Sequence, residues 1–106
     1  MFARFLEMTV KPGKKPELLR KMREEVLPIL KKYNSFLDMI PLEVETEPTK
    51  FYAISLWHEK LDAEKYESEN FDKVQAIYKP LLTAPIVVKY CKVDETIPRK
   101  TIAVAA

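Results

Sequence analysis

Four segments of the chain have the residue pattern of β-strands. Residues 2–10, 36–45, 51–58 and 86–93 are rich in aromatic, β-branched and aliphatic side chains, which favour strands. Apolar side chains of the first segment alternate between two faces, and the third segment is apolar on both faces. Because only a short turn at 46–50 separates the second and third segments, we expect them to form an antiparallel hairpin.

Two further segments have helical spacing. Residues 16–33 begin with Pro16, which suits a first helical turn, and Pro28 inside them predicts a kink, because it removes one hydrogen bond. The second helix is predicted to begin at a capping Asp62, to restart near Phe71, and to end before residues 83–85. The apolar stripes of the two helices comprise Leu18, Leu19, Met22, Val26, Ile29, Leu30 and Tyr33, and Val74, Ile77, Tyr78 and Leu81.

The order of these elements, β-α-β-β-α-β, predicts an α+β, ferredoxin-like fold with a four-stranded antiparallel sheet and both helices on one face. Pro41 in the second strand indicates an edge strand or a bulge. We assign residues 1–93 to this single domain, and the tail 94–106 either frays or adds to a partner chain. Apolar residues on the uncovered sheet face predict a homodimer through that face.

Composition narrows the range of functions. The net charge of +2 among 106 residues favours neither nucleic acid nor an anionic membrane as a partner. No apolar stretch approaches the roughly 20 residues that span a bilayer. The sequence has one cysteine, Cys91, and one histidine, His58, so we predict no metal site, no cofactor and a reducing, cytoplasmic setting.

Several short motifs, in their order and spacing, resemble the antibiotic biosynthesis monooxygenase family of the dimeric α+β barrel superfamily. The resemblance covers about residues 3–93. The matching positions are VKPGK at 10–14, VLPIL at 26–30, FL at 36–37, ISLW at 54–57, DA at 62–63, Phe71 and PLL at 80–82.

This resemblance implies a pocket between sheet and helices, in which a small aromatic or quinone-like compound is oxidised by O₂ without metal or flavin. The chain departs from the family at three places. Ser35 replaces a common Gly, the stretch 52–55 lacks a common Asn, and Asn70 stands where haem-degrading relatives have a His. Haem degradation is therefore not expected.

Candidate site residues follow from side-chain chemistry and from the resemblance. His58 and Tyr66 are the candidate catalytic groups, since an imidazole or a phenol can exchange a proton with a substrate. His58 follows Trp57 on the strand and points to the opposite side, where it could simply be exposed. The candidate substrate-binding residues, each of which could equally fill the core, are Trp57, Phe36, Tyr52, Phe71 and Tyr78.

The charged residues and the cysteine are weaker candidates for a functional role. Arg4 shares a strand face with apolar neighbours and could hold an oxyanion, but we expect it at the wet end of its strand. Glu64, Glu67 and Glu69 are interpreted as a solvated face, and Cys91 as a buried, inert thiol.

Two other functions stay open at this stage. The first is a non-catalytic protein that binds a small apolar ligand, because the chain lacks polar residues, such as the Asn of the third strand, that are common in the family. An RNA-recognition domain has the same element order, but the third strand lacks its glycine.

Overall fold

The computed structural model describes residues 1–98, and these form the predicted α+β architecture. Residues 99–106, most of the predicted tail, lie outside the described part. The elements are β1 Phe2–Thr9, α1 Lys15–Lys21, a π-helical turn Met22–Val26, α2 Leu27–Leu30, β2 Phe36–Glu43, β3 Lys50–Trp57, α3 Lys60–Tyr78, a 3₁₀ turn Lys79–Leu81, and β4 Val87–Lys92.

The four strands form one antiparallel sheet in the order β2-β3-β1-β4. The predicted hairpin of β2 and β3 is confirmed. Pro41 lies on β2, an edge strand as predicted, where a missing N–H is tolerated. A register shift between Phe36 and Asp38 adds an irregularity at the start of β2.

The kink predicted at Pro28 takes the form of a wider helical turn. The N–H of Leu27 donates to the carbonyl of Met22, five residues back, as in a π-helix. Pro28 has no N–H for the carbonyl of Glu24, so the chain widens before the proline. The α-helical pattern then returns, since Lys31 donates to Leu27 at 3.0 Å.

The second helix differs from the prediction in two respects. It runs without a restart through Phe71, because Ala63, Tyr66, Val74 and Tyr78 keep one continuous buried face. Its N-cap is Glu59, and the Asp62 carboxylate instead accepts the backbone N–H of Ser35 at 3.2 Å. Asp62 therefore ties α3 to the segment before β2.

The sheet has two apolar faces of different exposure. The inner face packs against the helices around the fully buried Met8, Phe51 and Trp57. The outer face carries no helix among the described elements, and Phe5 and Tyr52 pack there with ring centroids 5.2 Å apart. Half-buried or exposed apolar side chains make up this outer face, namely Phe5, Ile40, Leu42, Tyr52, Ile54, Leu56 and Val87. Within residues 1–98, no helix is long and apolar enough to cross a membrane.

Candidate functional site

Arg4 lies in the middle of the inner face. Its neighbours across the sheet are Ser55 on β3 and Tyr90 on β4, and its side chain is 2% exposed. The expectation of a wet strand end is therefore wrong. The alternation of β1 turns Arg4 toward α3, which covers it.

Two aromatic rings and one carboxylate surround the Arg4 guanidinium. Its central carbon lies 4.4 Å from the ring centroid of Phe71 and 5.0 Å from that of Tyr66, within the range of cation–π attraction. Nη2 is 3.7 Å from Oε1 of Glu67, too long for a charge-assisted hydrogen bond of about 2.7–2.9 Å. Nε and Nη2 have no hydrogen-bond partner among residues 1–98.

Trp57 anchors an aromatic cluster beside Arg4. Its Nε1–H donates to Oγ of Ser55 at 3.0 Å, so the buried indole is satisfied by a side chain. Tyr66 and Phe36 pack on Trp57 with centroid distances of 5.6 and 5.4 Å. Burial raises the pKa of Tyr66 to about 12, although the charge of Arg4 opposes this shift. Tyr66 therefore keeps its proton at neutral pH.

A small inner cavity of about 10 Å³ lies at the centre of this arrangement. This is about the space of one water molecule. Arg4, Ser55, Tyr66 and Tyr78 supply its polar lining. The hydroxyl of Tyr78 is buried without a hydrogen-bond partner in the described part of the chain, and burial raises its pKa.

A larger cleft opens on the other side of Arg4, between the inner face of the sheet and α3. We call it the outer cleft because it is open to the surface; it does not lie on the outer face of the sheet. Its volume is about 300 Å³, at the lower end of the range for small-molecule pockets. The rings of Phe2 and Tyr90 stack 6.4 Å apart at its wall, and Nζ of Lys60 lies 5.7 Å from the Phe2 centroid. The full lining is Phe2, Arg4, Lys60, Ala63, Glu64, Glu67 and Tyr90.

The hydroxyl of Tyr90 donates a hydrogen bond to Oε1 of Glu67. This bond raises the pKa of Tyr90, because the carboxylate stabilises the protonated phenol. Since the same oxygen faces Arg4, Tyr90, Glu67 and Arg4 form a chain of polar groups from the cleft to the inner cavity.

The predicted site residues divide between two regions. Five of them lie together on the inner side, namely Trp57, Tyr66, Phe71, Tyr78 and Phe36. Tyr52 lies on the outer face against Phe5. His58 is 69% exposed, with Nε2 3.6 Å from Oε1 of Glu59. The structure therefore does not bring His58 or Tyr52 to the Arg4 region.

Sequence reasoning interpreted Glu67 as part of a solvated face, favoured a surface role for the Tyr90 hydroxyl over a contact with substrate, and gave Arg4 the wrong environment. Glu67 is only one-third exposed, whereas the sequence suggested a solvated face. One signal was present in the sequence, since Arg4 alternates with Phe2, Leu6 and Met8 on one face of β1. The predicted buried thiol is also wrong, because Cys91 lies exposed on β4.

The rest of the described surface offers fewer candidate functional groups than the region around Arg4. A groove of about 720 Å³ runs between the end of α3 and the segment before β4. None of the predicted site residues lines this groove or the outer cleft, but the groove also lacks, among its described lining residues, a buried charged side chain such as Arg4. Within residues 1–98, no three His, Cys, Asp or Glu side chains come together as a metal would require.

Comparison with known proteins rests on structure alone. No protein-family model matches the sequence, and no curated protein matches it. A protein from Bordetella bronchiseptica, provisionally described as an antibiotic biosynthesis monooxygenase, superposes with a TM-score of 0.74 at 10% identity, over 88% of this chain and 96% of that one. A similarly described protein from Caulobacter crescentus gives 0.75 at 14% identity, over 88% and 89%. SnoaB, a cofactor-independent oxygenase from Streptomyces nogalater, gives 0.72 at 13% identity, over 92% and 97%. The chain therefore has the α+β ferredoxin-like fold found in the antibiotic biosynthesis monooxygenases.

Proposed function

We propose that the protein is a cofactor-independent monooxygenase that acts on a small aromatic or quinone-like compound bound in the outer cleft. One observation carries the proposal. The cleft has aromatic walls and meets a buried cation, Arg4, within a fold shared with SnoaB, which is described as a cofactor-independent oxygenase. The inner cavity of about 10 Å³ is too small for an aromatic ring, and the groove of about 720 Å³ has no buried charge among its described lining residues, so both observations favour the cleft as the substrate site in this proposal.

The proposed reaction uses electrons from the substrate itself. A deprotonated electron-rich ring passes one electron to O₂, and the two radicals combine into a ring peroxide anion, which takes back the proton that the substrate lost and becomes a hydroperoxide. Loss of water then leaves a carbonyl. For a dihydroxynaphthalene, the products are a hydroxynaphthoquinone, which keeps one oxygen atom of O₂, and water, which takes the other oxygen atom with two hydrogens of the substrate.

The protein's own groups would position the substrate. Phe2 and Tyr90 offer ring faces for stacking, a contact worth about 0.5–1.5 kcal/mol beyond the buried area. Tyr66 lines the inner cavity and not the cleft, and it keeps its proton because burial raises its pKa to about 12, so it would act by supporting Arg4 through its ring face. Trp57 and Phe71 would hold Tyr66 in place through ring contacts at 5.6 and 6.2 Å.

The test measures O₂ uptake with dihydroxynaphthalenes and hydroquinones, followed by mass spectrometry after reaction under ¹⁸O₂. We expect one labelled atom in the product and no turnover without O₂. Tyr90→Ala is expected to lower kcat/KM about three- to tenfold through lost stacking, whereas Leu61→Ala, on the exposed side of α3, is the matched control. Turnover that continues without O₂ would refute the proposal, and tight binding without O₂ uptake would instead identify a non-catalytic binding protein.

We further propose that a second copy of the chain covers the outer face. That face presents Phe5, Tyr52, Ile54 and Leu56 over two central strands, with Ile40 at its edge. Contiguous apolar patches of this kind mark interfaces, and a two-fold pair buries the same patch on both copies.

A further inference from the structure

The guanidinium of Arg4 is a buried cation with unused donors. Its side chain is 2% exposed, and Nε and Nη2 have no hydrogen-bond partner among residues 1–98. Burying an N–H donor without an acceptor is costly. The aromatic neighbours Phe71 and Tyr66 attract the charge through their ring faces, but Nε and Nη2 still lack an acceptor in this part of the chain.

Glu67 is the nearest carboxylate, and it is committed elsewhere. Oε1 of Glu67 stays 3.7 Å from Nη2 of Arg4 and accepts the hydroxyl of Tyr90 instead. Arg4 lines both the inner cavity and the outer cleft. Nε and Nη2 themselves are buried, so a molecule in the cleft reaches them when the side chain of Glu67, which is one-third exposed and lies beside Nη2, shifts away, and this needs no unfolding of an element.

We propose that Arg4 is an oxyanion-binding residue and that the ligand of the cleft is an acidic phenol or enol, bound as its anion with the charged oxygen on Nη2 or Nε of Arg4. The inference rests on the proposed function for the choice of the cleft as the ligand site. Phe2 and Tyr90 receive the aromatic ring, and Lys60 adds a second positive charge.

The carboxylates of Glu64 and Glu67 also line this cleft, and their negative charges repel a bound anion. The effect of removing one of these charges therefore tests the proposal. The ligand oxygen takes the place beside Arg4 that Glu67 approaches but does not reach. Removing the Glu67 charge should therefore strengthen anion binding, whereas removing the Arg4 charge should weaken it.

The experiment titrates para-nitrophenol, whose anion has its own absorption band, against the full chain without any turnover. Wild type should bind the anion and lower the pKa of the bound probe. Arg4→Met should weaken anion binding about tenfold or more, the loss expected for a charge-assisted hydrogen bond. Glu67→Gln should tighten it about fivefold. The uncharged ether para-nitroanisole should bind all three proteins equally.

Two outcomes would overturn the inference. The first is a folded Arg4→Met protein, checked by circular dichroism, that binds the anion as wild type does. If Arg4→Met fails to fold, Glu67→Gln decides, because unchanged or weaker anion binding contradicts the proposal. If the three proteins bind para-nitrophenol as expected but wild type takes up no O₂ with any substrate, the oxygenase function is refuted and the assignment of Arg4 as an anion-binding residue is retained.

Discussion

Replacing Tyr78 by phenylalanine should stabilise the protein. The hydroxyl of Tyr78 is buried, and among residues 1–98 it has no hydrogen-bond partner. The substitution removes this oxygen and leaves the packed ring in place. Since an unsatisfied buried polar group costs about 1–3 kcal/mol, Tyr78→Phe should raise the free energy of unfolding by about 1 kcal/mol or more, and the melting temperature by about 4–8 °C per kcal/mol.

The matched contrast is Tyr33→Phe, which makes the same chemical change with the opposite expected sign. The Tyr33 hydroxyl donates to Oε1 of Glu69 at 2.7 Å and accepts from Nδ2 of Asn70 at 2.8 Å. Its loss should cost about 0.5–1.5 kcal/mol. Urea unfolding at one fixed protein concentration, followed by circular dichroism, measures both midpoints. A destabilised Tyr78→Phe protein, or equal shifts in the two variants, would refute the reasoning from unpaired polar groups.

Three further predictions concern other parts of the structure. Burial raises the pKa of Tyr66 to about 12, above its unfolded value near 10, so the stability linked to its proton is complete below pH 10 and falls by about 2 kcal/mol by pH 12; urea midpoints against pH should show this loss, and Tyr66→Phe should show a loss smaller by about that amount. Ser55→Ala leaves the Trp57 Nε1–H without its acceptor and should lower the free energy of unfolding by about 1–3 kcal/mol, while Ser68→Ala on the surface should change it little. Ile54→Lys should halve the mass seen in analytical ultracentrifugation, and a wild-type protein that already sediments as one chain would contradict the proposed pairing.

The strands, the helices and the hairpin of β2 and β3 followed from residue patterns, because each of them depends on neighbours along the chain. Alternation along β3 placed Phe51, Ala53, Ser55 and Trp57 on one face, and all four are buried. The apolar stripe of the first helix is also confirmed, since its period continues from Leu18 through the widened turn to Leu30.

The site was less predictable because its groups meet across the fold. Arg4 is in contact with Tyr66, Glu67 and Phe71, which lie more than sixty residues further along the chain. No local pattern states that α3 will cover β1. The same limit explains the wrong helix start, because Asp62 bonds to Ser35 before β2 instead of capping its own helix.

The strand order has a consequence for aggregation. An edge strand offers free backbone groups to any passing chain, and lysines or prolines on it discourage such growth. Here the two margins carry Pro41 on β2, and Lys89 and Lys92 on β4. Addition of strands at either margin is therefore disfavoured. The exposed apolar area lies on the outer face instead, and the proposed two-fold pairing would bury that face on both copies, so association would stop at two chains and would not extend into a fibre.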